Sequence, residues 1–103
     1  MIKLIETDTY SDWLFSLRDR TARTLITLRS RRLVNGNFGD AKSVGSGVFE
    51  LRVHYGPGYR VYFTQQGQEL VLLLVGGEKR TQKRDIVKAQ EIARAWEVQN
   101  GKD

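Results

Sequence analysis

The chain of 103 residues contains no cysteine, one histidine, one proline and one methionine. Without thiols it has no disulfide, no thiolate nucleophile and no zinc-finger ligand set, and a lone His54 argues against a histidine-based metal site. No stretch approaches the roughly 20 apolar residues that cross a bilayer. The opening MIKLIETDTY lacks the basic start and small-residue cleavage site of a secretory signal. Repeats and low-complexity segments are missing as well. The expectation is a cytoplasmic protein with no membrane partner, no metal and no cofactor, held together by packing. With 40% hydrophobic residues, a chain this short can bury one core and not two. Residues 1–103 are therefore expected to form a single domain, the last few residues a loose tail. What the chain has in excess is positive charge: 17 Lys and Arg against 12 Asp and Glu, a net charge of +5. Such an excess attracts anionic partners over long range. Charge alone does not separate a nucleic-acid binder from an ordinary basic surface.

Residues 48–63, VFELRVHYGPGYRVYF, alternate apolar and polar on both sides of Gly56, Pro57 and Gly58, the pattern of a β-hairpin. A three-residue loop there sets Tyr55 opposite Tyr59, Val53 opposite Val61 and Leu51 opposite Phe63. Phe49, Leu51, Val53, Tyr55, Tyr59, Val61 and Phe63 then share an apolar face that seeks a core. On the other face Arg52 lies across from Tyr62, His54 from Arg60 and Glu50 from Thr64. Two arginines are thereby fixed on a rigid sheet.

Ahead of the hairpin, residues 2–6 read as a short strand. Thr9 with Asp12 matches a capping box, and Tyr10, Trp13, Leu14 and Leu17 form one helical stripe with Trp13 as a core anchor. Ala22, Leu25, Ile26, Arg29 and Leu33 continue at helical spacing to a C-cap at Asn35 and Gly36. This second helix exposes Arg20, Arg23, Arg31 and Arg32, either a solvated basic face or a surface for RNA or an acidic partner. Residues 35–47 are rich in Gly, Asn and Ser and read as a loop with a short edge strand near 42–44. Their glycines match neither a P-loop nor a dinucleotide-binding turn.

After a polar turn at 65–68 comes LVLLLV at 70–75, apolar on both parities and so a strand covered on both faces. Gly76 and Gly77 are expected to give it a sharp exit into the basic run Lys79, Arg80, Lys83 and Arg84. Ile86, Ala89, Ala93 and Trp96 mark a last helix, ended by Gln99, Asn100 and Gly101. The order β-α-α-β-β-β-α, with three or four strands in the meander, predicts a small α+β domain. Its sheet is twisted and mainly antiparallel, with helices packed on one face.

If the central strand lies beside that of Arg60, then Arg52, Arg60 and Lys79 reach one concavity together with His54 and Tyr62. Fixed guanidinium groups hold a phosphate in bidentate fashion and stabilise the added charge of a pentacovalent transition state. Cleaving RNA also requires a proton to leave the 2′-hydroxyl and another to reach the departing 5′-oxygen. Lys79 or Lys83 with a depressed pKa, His54 and Tyr62 are the candidates, with Asp85 near by. The alternative is an exposed sheet face on which Arg52 and Glu50 merely pair with neighbours.

The combination of Glu50-Leu-Arg52, the Gly56-Pro-Gly58 turn, Tyr59-Arg60-Val61-Tyr62 and Gly76-Gly-Glu-Lys79 with Gln82 resembles the RelE/ParE superfamily of bacterial toxins. It looks closest to the HigB-like, phage-derived branch called addiction module killer proteins. The similarity runs from about Ile2 to Trp96. The resemblance implies a RelE/ParE-like fold and a type II toxin-antitoxin toxin that acts as a ribosome-dependent mRNA interferase, a metal-independent endoribonuclease inhibiting translation. It implies as partners mRNA, the ribosome and a cognate antitoxin of helix-turn-helix type, with operator DNA reached only through that antitoxin. Carried over to this chain, Arg52, Arg60 and Lys79 are the catalytic candidates, and Arg80, Lys83, Arg84, Tyr62 and His54 the RNA-binding ones. The chain departs from the pattern in having no tyrosine beyond Tyr62 and no C-terminal histidines. A ParE-like toxin that poisons gyrase without chemistry, or an inactive relative that only binds its antitoxin, are the other readings the same likeness permits.

Overall fold

A computed structural model describes residues 2–100 of the chain. The elements run β1 (Lys3–Glu6), α1 (Asp8–Ser16), α2 (Arg20–Arg32), β2 (Ala41–Gly45), β3 (Val48–Val53), β4 (Tyr59–Gln66), β5 (Leu70–Glu78) and α3 (Gln82–Gln99). Single 3-10 turns follow α2 and precede α3. The five strands form one sheet in the order β1-β5-β4-β3-β2, with β1 parallel to β5 and every other pair antiparallel. This is the expected α+β architecture, the edge strand near 42–44 included. The expected tail and the helix end at Gly101 lie outside the described residues.

Helices cover both faces of the sheet rather than one. On one face Tyr10, Ala22 and Ile26 of α1 and α2 pack on Leu51, Val61, Phe63, Val71 and Leu73. On the other, Ala89 and Ala93 of α3 pack on Val48, Tyr62, Leu72, Leu74 and Val75. The cause is β5: apolar on both parities, it has to be covered twice. Complete burial of Leu72, Leu73 and Leu74 contributes about 1.5–3 kcal/mol for each. An irregularity in the β4–β5 pairing pairs Tyr62 with Val75 but Phe63 with Leu73, so the successive side chains Leu74 and Val75 join the same core.

The first helix is capped by Thr7 and not Thr9: the Thr7 hydroxyl accepts from the Tyr10 amide at 3.0 Å and donates to the Leu74 carbonyl at 2.7 Å. One side chain so ends β1, starts α1 and ties both to β5. Asp19 caps α2 by accepting from Ala22 N; α2 itself ends at Arg32, and the expected cap Gly36, at φ +75°, closes the 3-10 turn Leu33–Asn35 that continues it.

The hairpin keeps its predicted faces but not its register. Leu51 pairs with Val61, Arg52 with Arg60, and Glu50 with Tyr62, a slip of two residues that preserves parity. The reason is the loop, which takes five residues, from His54 to Gly58, between β3 and β4. Tyr55 N–H turns back to the Val53 carbonyl and Gly58 N–H to the Tyr55 carbonyl, with Gly56 at φ +57°. His54 consequently leaves the sheet and does not face Arg60.

Gly76 and Gly77 do not end β5; they pair with Val61 and Arg60 inside it. A Cβ on Gly76 would lie 2.1 Å from the Trp13 ring, and one on Gly77 1.8 Å from Asp85 Oδ2. The missing side chains let α1 and the start of α3 close onto opposite faces of the strand. Gly76→Ala and Gly77→Ala are therefore each expected to destabilise the fold by about 1–3 kcal/mol, the usual cost of overpacking. Urea unfolding midpoints measure this, and an unchanged midpoint in either variant contradicts the packing described.

Candidate functional site

On the α3 face of the sheet, Glu50 is a charged side chain with no exposure to solvent. Its carboxylate is met by donors from three elements. Arg52 Nε on β3 reaches Oε1 at 3.1 Å, while Arg60 Nη1 and the Tyr62 hydroxyl on β4 reach Oε2 at 3.3 and 3.1 Å. Gln82 Nε2, in the first turn of α3, donates to the same Oε2 at 2.7 Å. Burial pushes the Glu50 carboxyl up, but the hydrogen bonds from Gln82 and Arg52, the Arg60 charge and the Tyr62 hydroxyl outweigh it and hold the group below its ordinary range. Glu50 is thus ionised, and its charge lies between two arginines that the register sets directly opposite each other.

Beside this cluster opens a cleft of about 370 Å³ lined by Arg52, His54, Gly58, Arg60, Lys79 and Gln82, among others. Lys79 reaches it because its backbone N–H donates to the Gly58 carbonyl at 2.9 Å, which ties the turn after β5 to the hairpin loop. The three expected cations Arg52, Arg60 and Lys79 therefore line one concavity. Arg60 is the most enclosed of them at 8% exposure, and its Nε has no hydrogen-bond partner among the described residues. A buried donor in that condition favours an incoming anion.

A second concavity of about 410 Å³ adjoins the first through Lys79 and Gln82 and is lined further by Arg80, Lys83 and Arg84. Arg80 contacts Glu78 at 3.3 Å and Arg84 approaches Asp85 at 3.7 Å. Both arginines are largely exposed, so these pairs hold them only weakly. Together the two concavities form a continuous basic track around the start of α3.

Some expected site residues stand elsewhere. Tyr62 is completely buried; burial first, and then the Glu50 charge and hydrogen bond, push its hydroxyl far above the ordinary phenol range. It supports Glu50 and cannot touch RNA or move a proton at the surface. Asp85 is nearly buried, accepts from the Thr81 hydroxyl at 2.5 Å and does not line the Arg52 cleft. Lys83 lies in the second concavity alone. His54 stands on the cleft rim, its Nε2 hydrogen-bonded to Asp40 Oδ2, and that bond is the chief reason the Asp40 carboxyl is held low. Glu50 and Gln82 belong to the residues that carry the family resemblance, but sequence reasoning gave neither a role in the site. The alternation that sets Glu50, Arg52, Arg60 and Tyr62 on one face was the available signal.

Comparison with known proteins gives two likenesses. Residues 12–97 match the family described as phage derived protein Gp49-like (DUF891). The chain is also similar to an uncharacterized protein of Haemophilus influenzae, 48% identical over 92 residues, which covers 89% of this chain and 93% of that one.

The Glu50 cluster makes stability depend on pH in a defined direction. Its folded-state value lies below the ordinary 4.5, so its contribution is complete above that value and is lost as pH falls through the folded one. The stability gap between the natural chain and Glu50→Gln is expected to be widest above pH 4.5 and to narrow below it, measured by urea unfolding from neutral to acid pH. A gap that stays constant contradicts the assignment.

Proposed function

The chain belongs to the phage-derived Gp49-like family, a RelE/ParE-like toxin family, and on that premise we propose that it is the toxin of a type II toxin-antitoxin module, of the HigB-like kind, acting as a ribosome-dependent endoribonuclease on mRNA. The observation that carries this reading is the shared cleft: Arg52, Arg60 and Lys79, from three separate segments, line one basic concavity. A phosphodiester fits its charge and its donors.

In this mechanism Arg52 and Arg60 bind the non-bridging oxygens of the scissile phosphate and Lys79 stabilises the charge that builds up as the 2′-oxygen attacks phosphorus. The bond to the 5′-oxygen then breaks, leaving a 2′,3′-cyclic phosphate. Arg80, Lys83 and Arg84 hold neighbouring phosphates along the second concavity. With Tyr62 enclosed and Tyr59 nearly so, the proton that leaves the 2′-hydroxyl and the one that reaches the 5′-oxygen pass through His54 or Lys79, both of which line the cleft. The proposed restraint is a cognate antitoxin of helix-turn-helix type, whose acidic or amphipathic segment neutralises the basic surface and blocks the substrate together. Operator DNA is reached through that antitoxin.

Arg52→Ala, Arg60→Ala and Lys79→Ala are each expected to lower cleavage by about 100-fold or more, the scale of losing one fixed charge-stabilising donor. Primer extension on transcripts after induced expression reads this directly. Cuts inside translated frames, lost in the variants along with growth inhibition, support the reading. Intact transcripts accompanied by a DNA-damage response contradict it and favour gyrase poisoning.

A further inference from the structure

Arg52 and Arg60 are direct partners across the β3–β4 pair, and like charges so opposed repel. Glu50, two pairs further along the same ladder and so next on the same face, opposite Tyr62, relieves that repulsion from below. Glu50 receives four donors, Arg52 Nε on Oε1 and Arg60 Nη1, the Tyr62 hydroxyl and Gln82 Nε2 together on Oε2. Each arginine is gripped by one nitrogen only. The remaining guanidinium nitrogens of Arg52 and the second terminal nitrogen of Arg60 make no hydrogen bond to Glu50 and stay available to a second anion. The same carboxylate also joins the sheet to the start of α3, the segment that carries the second basic concavity.

We propose that Glu50 is the positioning residue of the cleft: it fixes the directions of the Arg52 and Arg60 guanidiniums toward a bound phosphodiester, and it is needed for turnover rather than for attracting RNA. The substrate half of this inference rests on the nuclease reading above; the geometric half stands apart from it. The two roles a buried carboxylate can have here differ in sign. Glu50 lowers the positive charge of the cleft, so on electrostatics alone its neutralisation tightens RNA binding and leaves or improves the reaction. As a positioning group, its neutralisation frees both arginines and slows the reaction while binding holds or tightens.

The test uses the full chain with Glu50→Gln and Glu50→Asp. Proton exchange at the Arg52 Nε–H group, the nitrogen through which Arg52 holds Glu50, followed by nitrogen-15 NMR, is expected to be slow in the natural chain and at least about tenfold faster in Glu50→Gln, as this bonded donor becomes solvated. Single-turnover cleavage is expected to fall by about 100-fold, the scale of a small misplacement of the reacting geometry. Affinity for an RNA made uncleavable by a 2′-deoxy residue should be equal or tighter, with the slope of log affinity against log salt steeper by about 0.7 for the charge unmasked. Glu50→Asp, which keeps the charge on a shorter arm, should recover part of the rate. Cleavage in Glu50→Gln equal to the natural chain overturns the proposal, as does a parallel loss of binding and cleavage. If the natural chain cuts no RNA, the nuclease reading fails, and arginine exchange still decides the positioning claim: unchanged exchange in Glu50→Gln overturns it. If Glu50→Gln does not fold, Gln82→Leu, which removes one donor from the half-buried start of α3, is read by the same measurements, with smaller changes expected in the same directions.

Discussion

A carboxylate sealed beneath the surface must be fully paired, because an uncompensated charge there costs several kcal/mol. For Glu50 that requirement selects its neighbours. Two guanidiniums, a phenol and an amide converge on it from β3, β4 and α3, so the strand register, the helix position and the direction of the arginines are all held by one group. Shifting β3 by one residue relative to β4 would turn Glu50 to the opposite face and strand its charge in the apolar core. The cleft is a by-product of satisfying that charge.

The rest of the fold holds this cluster where it is. β5 is covered on both faces, and its two glycines let α1 and α3 approach it closely. Because α3 begins hard against Gly77, Gln82 can reach Glu50 and Lys79 can bond to the hairpin loop. Tyr62, drawn into the second core, fills the space beneath the carboxylate and donates its hydroxyl upward.

Much of this was legible in the residues. Alternation across residues 48–63 fixed which side chains share a face, and apolar residues on both parities of 70–75 marked a strand covered on both faces, although the middle of the sheet falls to β4. What failed were local details decided at longer range. The hairpin loop is longer than its three central residues suggest because His54 and Tyr55 continue the turn, and residue types do not show where a strand ends. Gly76 and Gly77 resemble a chain exit, yet they are demanded by Trp13 and Asp85 from distant segments. Thr7 outcompeted Thr9 as a cap because only Thr7 also reaches the Leu74 carbonyl. The cleft of Arg52, Arg60 and Lys79 was anticipated, but Glu50 looked like half of a surface pair, since sequence alone does not reveal that a residue between two arginines is covered by a helix from the far end of the chain.

The central claim is that a phosphodiester seats between the two arginines that Glu50 holds. Crystals grown with a short RNA carrying a 2′-deoxy residue at the scissile position test it most directly. The account predicts one phosphate with oxygens about 3 Å from both Arg52 and Arg60, Lys79 facing the same phosphate, and both arginines still bonded to Glu50. Phosphates bound only along Arg80, Lys83 and Arg84, with Arg52 and Arg60 turned away from the ligand, would contradict it.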